Sequence, residues 1–274
     1  MDNRHMRNHR FSYLVALFFI SVNCFAQREF RPITGILGAF DAEVEYLLSV
    51  ATNKTERTIQ QIRFTEGELN GKKVVIAQTG IGKVNAAITT TLMIEYYMPR
   101  EIIFTGIAGG TNPGLSPGDI VIGTRVVYHD YGTLTADSLQ VRPTKNPVTG
   151  QENPLFYNSD PRLVEIAVRA SVEAKLAKLK NQYPKVITGT IVTGDVFVSS
   201  PKAAKEFRRR FNADATEMEG AAVAQACFQQ SQPFIVVRSL SDNAGHGSMD
   251  EVKQFYKLAA ENSANLVLAI IKLL

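Results

Sequence analysis

The stretch E-I-I-F-T-G-I-A-G-G, residues 101–110, decides how the rest of the chain is read. Its apolar residues run on without alternation, as in a strand covered on both faces, and it is expected to run into a glycine turn. F-I-V-V at 234–237 has the same character. Outward from these, strands and helices alternate: I-T-G-I-L-G-A-F (33–40), K-K-V-V-I-A-Q-T-G (72–80), G-D-I-V-I-G-T-R-V-V-Y (118–128) and K-V-I-T-G-T-I-V-T-G-D (185–195) read as strands. Between them, segments 41–51, 84–97, 160–176 and 201–211 have helical spacing, with Val44, Leu47 and Leu48 on one face of the first. A-D-A-T-E-M-E-G-A-A-V-A-Q-A-C (213–227) reads as the beginning of another helix, since Ala, Glu and Met favour helices. A long helix, 250–274, closes the chain. This alternation predicts an α/β domain from about residue 31 to 274, with a sheet covered on both faces. Residues 129–160, rich in Pro, Asn and Gly, are expected to form a long surface loop.

The first 26 residues differ in kind. Arg4, Arg7 and Arg10 precede the apolar run F-S-Y-L-V-A-L-F-F-I-S-V-N-C-F-A, and polar residues follow Ala26. This pattern predicts a secretory signal peptide, residues 1–26, with a periplasmic or secreted product. An uncleaved membrane anchor is the alternative, for which the run is short. The segment holds three Arg and one Asp, so cleavage lowers the net charge from +4 to +2. The mature chain would keep His129, His246 and Cys227, too few and too scattered for a zinc site. A near-neutral balance with no basic stripe gives no support to nucleic-acid binding, and no stable membrane association is expected after cleavage.

In open α/β sheets ligands bind beyond the carboxyl ends of strands. Those ends read G-A-F-D-A-E (38–43), T-G-I-G-K-V (79–84), T-G-I-A-G-G (105–110), T-G-D-V-F-V (193–198) and R-S-L-S-D-N-A-G (238–245). None is GxxxxGK[ST] or GxGxxG, so neither an NTPase nor a dinucleotide enzyme is indicated. Together with G-D-I-V-I-G and A-T-E-M-E-G-A-A-V-A, in this order, they resemble the 5'-methylthioadenosine/S-adenosylhomocysteine nucleosidases of the nucleoside phosphorylase superfamily. The resemblance runs from about Ile33 to Leu274, and the 129–160 segment matches it poorly.

The resemblance implies a three-layer α/β/α fold with a central mixed, mostly parallel sheet. It also implies hydrolysis of an N-glycosidic bond with release of adenine, no metal or organic cofactor, and a homodimer with residues 129–160 near the interface. Such chemistry needs an acid at the base and a carboxylate at the attacking water. By motif match Asp242 is the acid at adenine N7, steadied by Ser241, and Glu43 is the base. Glu219 would grip the ribose hydroxyls, Met218 would lie on the sugar face, Glu217 would support Glu219, and Arg238 would neutralise the carboxylates. Phe197 would stack on adenine, the Val198 backbone would pair with its edge, and Met249 would face the thioalkyl group.

Taken alone, E-M-E reads instead as an exposed helix start; ordinary core is the alternative for Phe197, and Cys227, on an apolar helix face, is expected in the core. His129 and His246 are expected to be hydrogen-bonded loop residues rather than catalysts. Phe104 and Ile107 stand where a phosphorylase of this superfamily places arginine and serine for phosphate, which favours water as nucleophile. Ile107 also departs from the serine usual in the nucleosidases, as Phe40 departs from methionine, and both leave the 5'-substituent open. A phosphate-dependent purine nucleoside phosphorylase and an inert nucleoside-binding protein remain as alternatives.

Overall fold

A computed structural model describes residues 31–179, 182–243 and 249–274, apart from the side chains of Asn243 and residues 249–254. In chain order its elements are β1 (Arg31–Gly38), α1 (Asp41–Val50), β2 (Thr52–Ile59), β3 (Ile62–Leu69), β4 (Lys72–Gln78), α2 (Lys83–Tyr97), β5 (Pro99–Gly110) and β6 (Ile120–Tyr128). Then come β7 (Gly132–Leu134), β8 (Leu139–Val141), β9 (Tyr157–Asn158), α3 (Pro161–Glu173), β10 (Val186–Thr193), α4 (Pro201–Phe211), β11 (Ala213–Glu217), α5 (Gly220–Gln229), β12 (Phe234–Asn243) and α6 (Met249–Leu273).

The main sheet runs β11-β10-β6-β12-β5-β1-β4-β3-β2, with β9 on β6, and is mixed. Pairs β1–β4, β1–β5, β5–β12, β6–β10 and β10–β11 are parallel. Pairs β2–β3, β3–β4, β6–β12, β6–β9 and β5–β11 are antiparallel. The apolar runs are buried on both faces, as their lack of alternation requires. Ile102, Phe104 and Val236 pack into a core under α2 and α5, while Ile103, Ile235 and Val237 pack into a second core with residues of α1, α3 and α6. Helices therefore cover both faces, giving three layers. Two helix starts are written locally. Asp160 and Ser200 each precede a proline and accept the Leu163 and Ala203 amides as N-caps.

Three readings are corrected. Residues 213–217 form β11, not the start of a helix; α5 begins only at Gly220. Helix propensity is overridden by backbone pairing with β10 on one side and with Gly109 and Gly110 on the other. Those glycines are not a turn after a strand but the end of β5 itself. Pairing of β5 with β11 closes β5, β12, β6, β10 and β11 into a ring. The third concerns 129–160, which carries the β7–β8 hairpin and β9, with Tyr157 buried and its hydroxyl bonded to Thr144. The sequence reading assigns no element to 52–69, which forms strands β2 and β3.

Candidate active site

The ends of β1, β5, β11 and β12 converge on one cavity of about 280 Å³. Glu43, Ile107, Phe197, Glu217, Met218, Glu219, Ser241 and Asp242 line it, together with Phe40, Ile81 and Tyr256. Val198 lines a small adjoining hollow that shares Phe197, Met218 and Asp242. The other residues singled out in the sequence stand apart from these. Arg238 lies behind the wall, fully buried. Met249 and His246 fall outside the residues and side chains described.

Glu43 sits in the first turn of α1 with its carboxylate folded back toward β1. One oxygen accepts the Ala39 amide and the other the Ile107 amide at 2.9 Å. Gly106 makes this possible: a Cβ there would fall 2.3 Å from the Glu43 Oε1. The side chain of Ile107 departs from the family pattern, but its contribution to Glu43 is a backbone N–H, which any residue but proline provides. Burial pushes the Glu43 carboxyl upward, and the Arg238 charge and the backbone donors oppose it.

Glu217 and Glu219 bracket Met218 at the β11–α5 junction and do different things. Glu217 accepts Arg238 Nη2 at 2.7 Å, the amides of Glu219 and Gly220 at 3.1 and 2.7 Å, and the Thr193 hydroxyl. It is the counter-ion of a buried guanidinium and the acceptor for the opening amides of α5. Glu219 accepts the Gly82 amide at 2.8 Å and lies 4.0 Å from Arg238. Burial first, and then the Glu217 charge, push the Glu219 carboxyl up to about 8, against the pull of Arg238. Both glutamates are buried, which rules out an exposed helix start.

Asp242 owes its aim to a register shift in β12 against β5 between Leu240 and Asp242. A bulge lets adjacent residues share a face, so Ser241 and Asp242 both line the cavity. The Ser241 hydroxyl donates to Asp242 Oδ1 at 2.8 Å. Phe197 is 46% exposed, which places it at the rim rather than in the core. Phe104 does not line the cavity; its ring lies 4.0 Å under the Arg238 guanidinium.

His129 lies outside any helix or strand with its amide donating to the Thr193 carbonyl at 2.9 Å, but its ring departs from the expected hydrogen bonding. Its ring is buried and stacked on Phe207 at 4.3 Å, and Nε2 has no hydrogen-bond partner among the described residues. Burial lowers its pKa. Cys227 is in the core, where burial pushes its thiol up. Sequence reasoning placed Gly82 and Thr193 in strand-end motifs without giving either a role, and passed over Tyr256. The spaced glycines of G-I-G, residues 80–82, were the signal: both adopt positive φ, +83° and +98°, where other residues are strained.

The family model of the phosphorylase superfamily matches residues 33–272, and the chain belongs to that superfamily. Within it the chain is 41% identical to the 5'-methylthioadenosine/S-adenosylhomocysteine nucleosidase of Halalkalibacterium halodurans over 239 residues, 86% of this chain and 96% of that one. The structure of the Neisseria meningitidis nucleosidase of the same name, in complex with methylthio-immucillin-A, is similar with TM-score 0.77 and 37% identity, covering 89% of this chain and all of that one. The Colwellia psychrerythraea nucleosidase, in complex with adenine, is similar with TM-score 0.77 and 37% identity, covering 88% and 96%. The chain is therefore a member of the 5'-methylthioadenosine/S-adenosylhomocysteine nucleosidase family, whose members are N-glycosidic hydrolases.

Proposed function

We propose that this cavity hydrolyses the N-glycosidic bond of 5'-methylthioadenosine, S-adenosylhomocysteine or a related adenine nucleoside. The observation that carries the reading is that Glu43 and Asp242 line one cavity of nucleoside size, with Glu219 on the same wall system. Asp242, oriented by Ser241, protonates the adenine ring and makes it a leaving group. Glu43 takes the proton of the attacking water; its raised affinity for protons suits a base. Positive charge developing on the sugar favours the ionised form of Glu219, which in turn stabilises that charge. Met218 packs on the sugar and Phe197 on adenine, with the Val198 backbone at the base edge, while Arg238 acts from behind through Glu217.

The described lining carries four carboxylates and no Lys or Arg. A phosphate would enter without charge-assisted partners there, each worth about 1.5–3 kcal/mol. Water is the better nucleophile, and hydrolysis is favoured over phosphorolysis. Incubation with methylthioadenosine, following free adenine with and without phosphate, tests this: adenine is expected in both. No adenine in either would end the reading, and strict phosphate dependence would make the chain a phosphorylase.

We further propose export under the direction of residues 1–26, which sequencing of the mature N-terminus would test. A homodimer is proposed as well. Val84 and Ile88 on α2, and Ile81 just before it, leave apolar surface exposed, and Ile81 also lines the cavity. A sedimentation mass of one chain would refute it. Among the described residues no helix is long and apolar enough to cross a membrane.

A further inference from the structure

The segment between β10 and α4 brings Phe197 to the cavity, yet Asp195, Val196 and Phe197 are all exposed. Apolar burial therefore does little to hold it. A polar clasp does. The Asp195 amide donates to Asp130 Oδ2 at 2.8 Å, and Asp195 Oδ1 accepts the Lys83 amide at 2.8 Å. Lys83 Nζ donates to both Asp130 oxygens, at 2.7 and 2.8 Å, and lies 3.6 Å from Asp195 Oδ2. Just before it, the Gly194 amide donates to the Glu217 carbonyl at 3.1 Å. Gly194 also lies close against the His129 ring, where a Cβ would fall 2.3 Å from Cε1.

Lys83 opens α2, and the residue before it, Gly82, donates to Glu219. One lysine thus joins the Phe197 segment to the start of the helix that meets Glu219. Neither Lys83 nor Asp130 lines the cavity.

We propose that Asp130 and Lys83 are a positioning pair that holds the 194–198 segment over the purine. The inference deepens the nucleosidase reading and rests on it for the identity of the ligand. Partly exposed ion pairs contribute little to global stability, so the pair acts on where Phe197 sits rather than on whether the chain folds. Loss of the clasp releases the segment, and affinity for the base falls.

The test compares Lys83→Met, Lys83→Arg, Asp130→Ala and Asp130→Asn with the wild type. Hydrogen–deuterium exchange of the 194–198 amides in the free protein is expected to rise about tenfold or more in Lys83→Met and Asp130→Ala, an effect the size of one charge-assisted hydrogen bond. Amides of β10 are expected to keep wild-type exchange, Lys83→Arg to recover most of the protection, and Asp130→Asn to fall between. In the same variants the inhibition constant of adenine is expected to rise about tenfold with the melting temperature little changed. Unchanged exchange at 194–198 in Lys83→Met would overturn the proposal, as would a general rise that includes β10. If Asp130→Ala fails to fold, Asp130→Asn and Lys83→Met decide. Failure of the wild type to release adenine would refute the nucleosidase reading, while the exchange measurement would still judge the clasp.

Discussion

Replacing Gly106 by alanine tests how Glu43 is held without touching any titratable group. A Cβ at this position would lie 2.3 Å from Glu43 Oε1, 2.7 Å from Cδ and 2.9 Å from Oε2. Ordinary contact begins near 3.4 Å, so the carboxylate must withdraw by roughly 1 Å. It has no slack, because the amides of Ala39 and Ile107 hold its two oxygens. Withdrawal either breaks a charge-assisted bond, at about 1.5–3 kcal/mol, or carries the base away from the water. A misplacement of this size costs about 100-fold in rate. The expected result for Gly106→Ala is a kcat about 100-fold down, a KM within several-fold and a folded protein by thermal melting, read as adenine release from methylthioadenosine. In a Glu43→Ala background, where nothing remains to displace, the same change should add almost nothing, since the two sites act as one. A Gly106→Ala enzyme within three-fold of wild type would refute this account of Glu43.

Asp242→Asn should lose about 10²–10⁴-fold in turnover while calorimetry still detects nucleoside binding; a rate near wild type would mean the base is protonated by another group. Glu217→Gln strips the fully buried Arg238 of its ionic partner at 2.7 Å and should cost about 3–5 kcal/mol, seen as a lower urea midpoint. An unchanged midpoint would remove Glu217 from that role. Glu219 has a folded pKa of about 8, above its unfolded value of 4.5, so its contribution to stability is full below 4.5 and is lost as pH rises through 8. Glu219→Gln should therefore gain stability relative to wild type between pH 4.5 and 8 and hold that gain above; a gap that stays constant or narrows over this range would contradict it.

Much of the fold was legible because its signals are local or periodic. The unbroken apolar runs of β5 and β12 require burial on two faces, and the Asp160-Pro161 and Ser200-Pro201 steps mark helix starts. β2 went unassigned because T-N-K-T-E-R-T-I is polar and exposed along most of its length, and β3, I-R-F-T-E-G-E-L, because its buried residues Phe64, Thr65 and Leu69 follow no strict alternation. The turn between β3 and β4 carried a signal that went unused: Asn70 and Gly71, with φ of +50° and +72°, are the residues a tight two-residue hairpin requires. β11 was misread for the opposite reason. Its residues prefer helix, and backbone pairing with β10 on one side and with Gly109 and Gly110, about a hundred positions upstream, on the other draws them into a sheet.

By itself the sequence determined the chemical inventory: which strand ends carry carboxylates, where glycines permit close approach, and which family pattern they fit. Tertiary structure alone decided how these groups are held. Glu43 on α1 meets the amide of Ile107 on β5, Glu219 meets Gly82, and Arg238 rests between Glu217 and the ring of Phe104. Such contacts join segments far apart in the chain, and hydrogen bonds and charge pairing depend on separations of a few ångströms in space, which no local pattern of residues encodes.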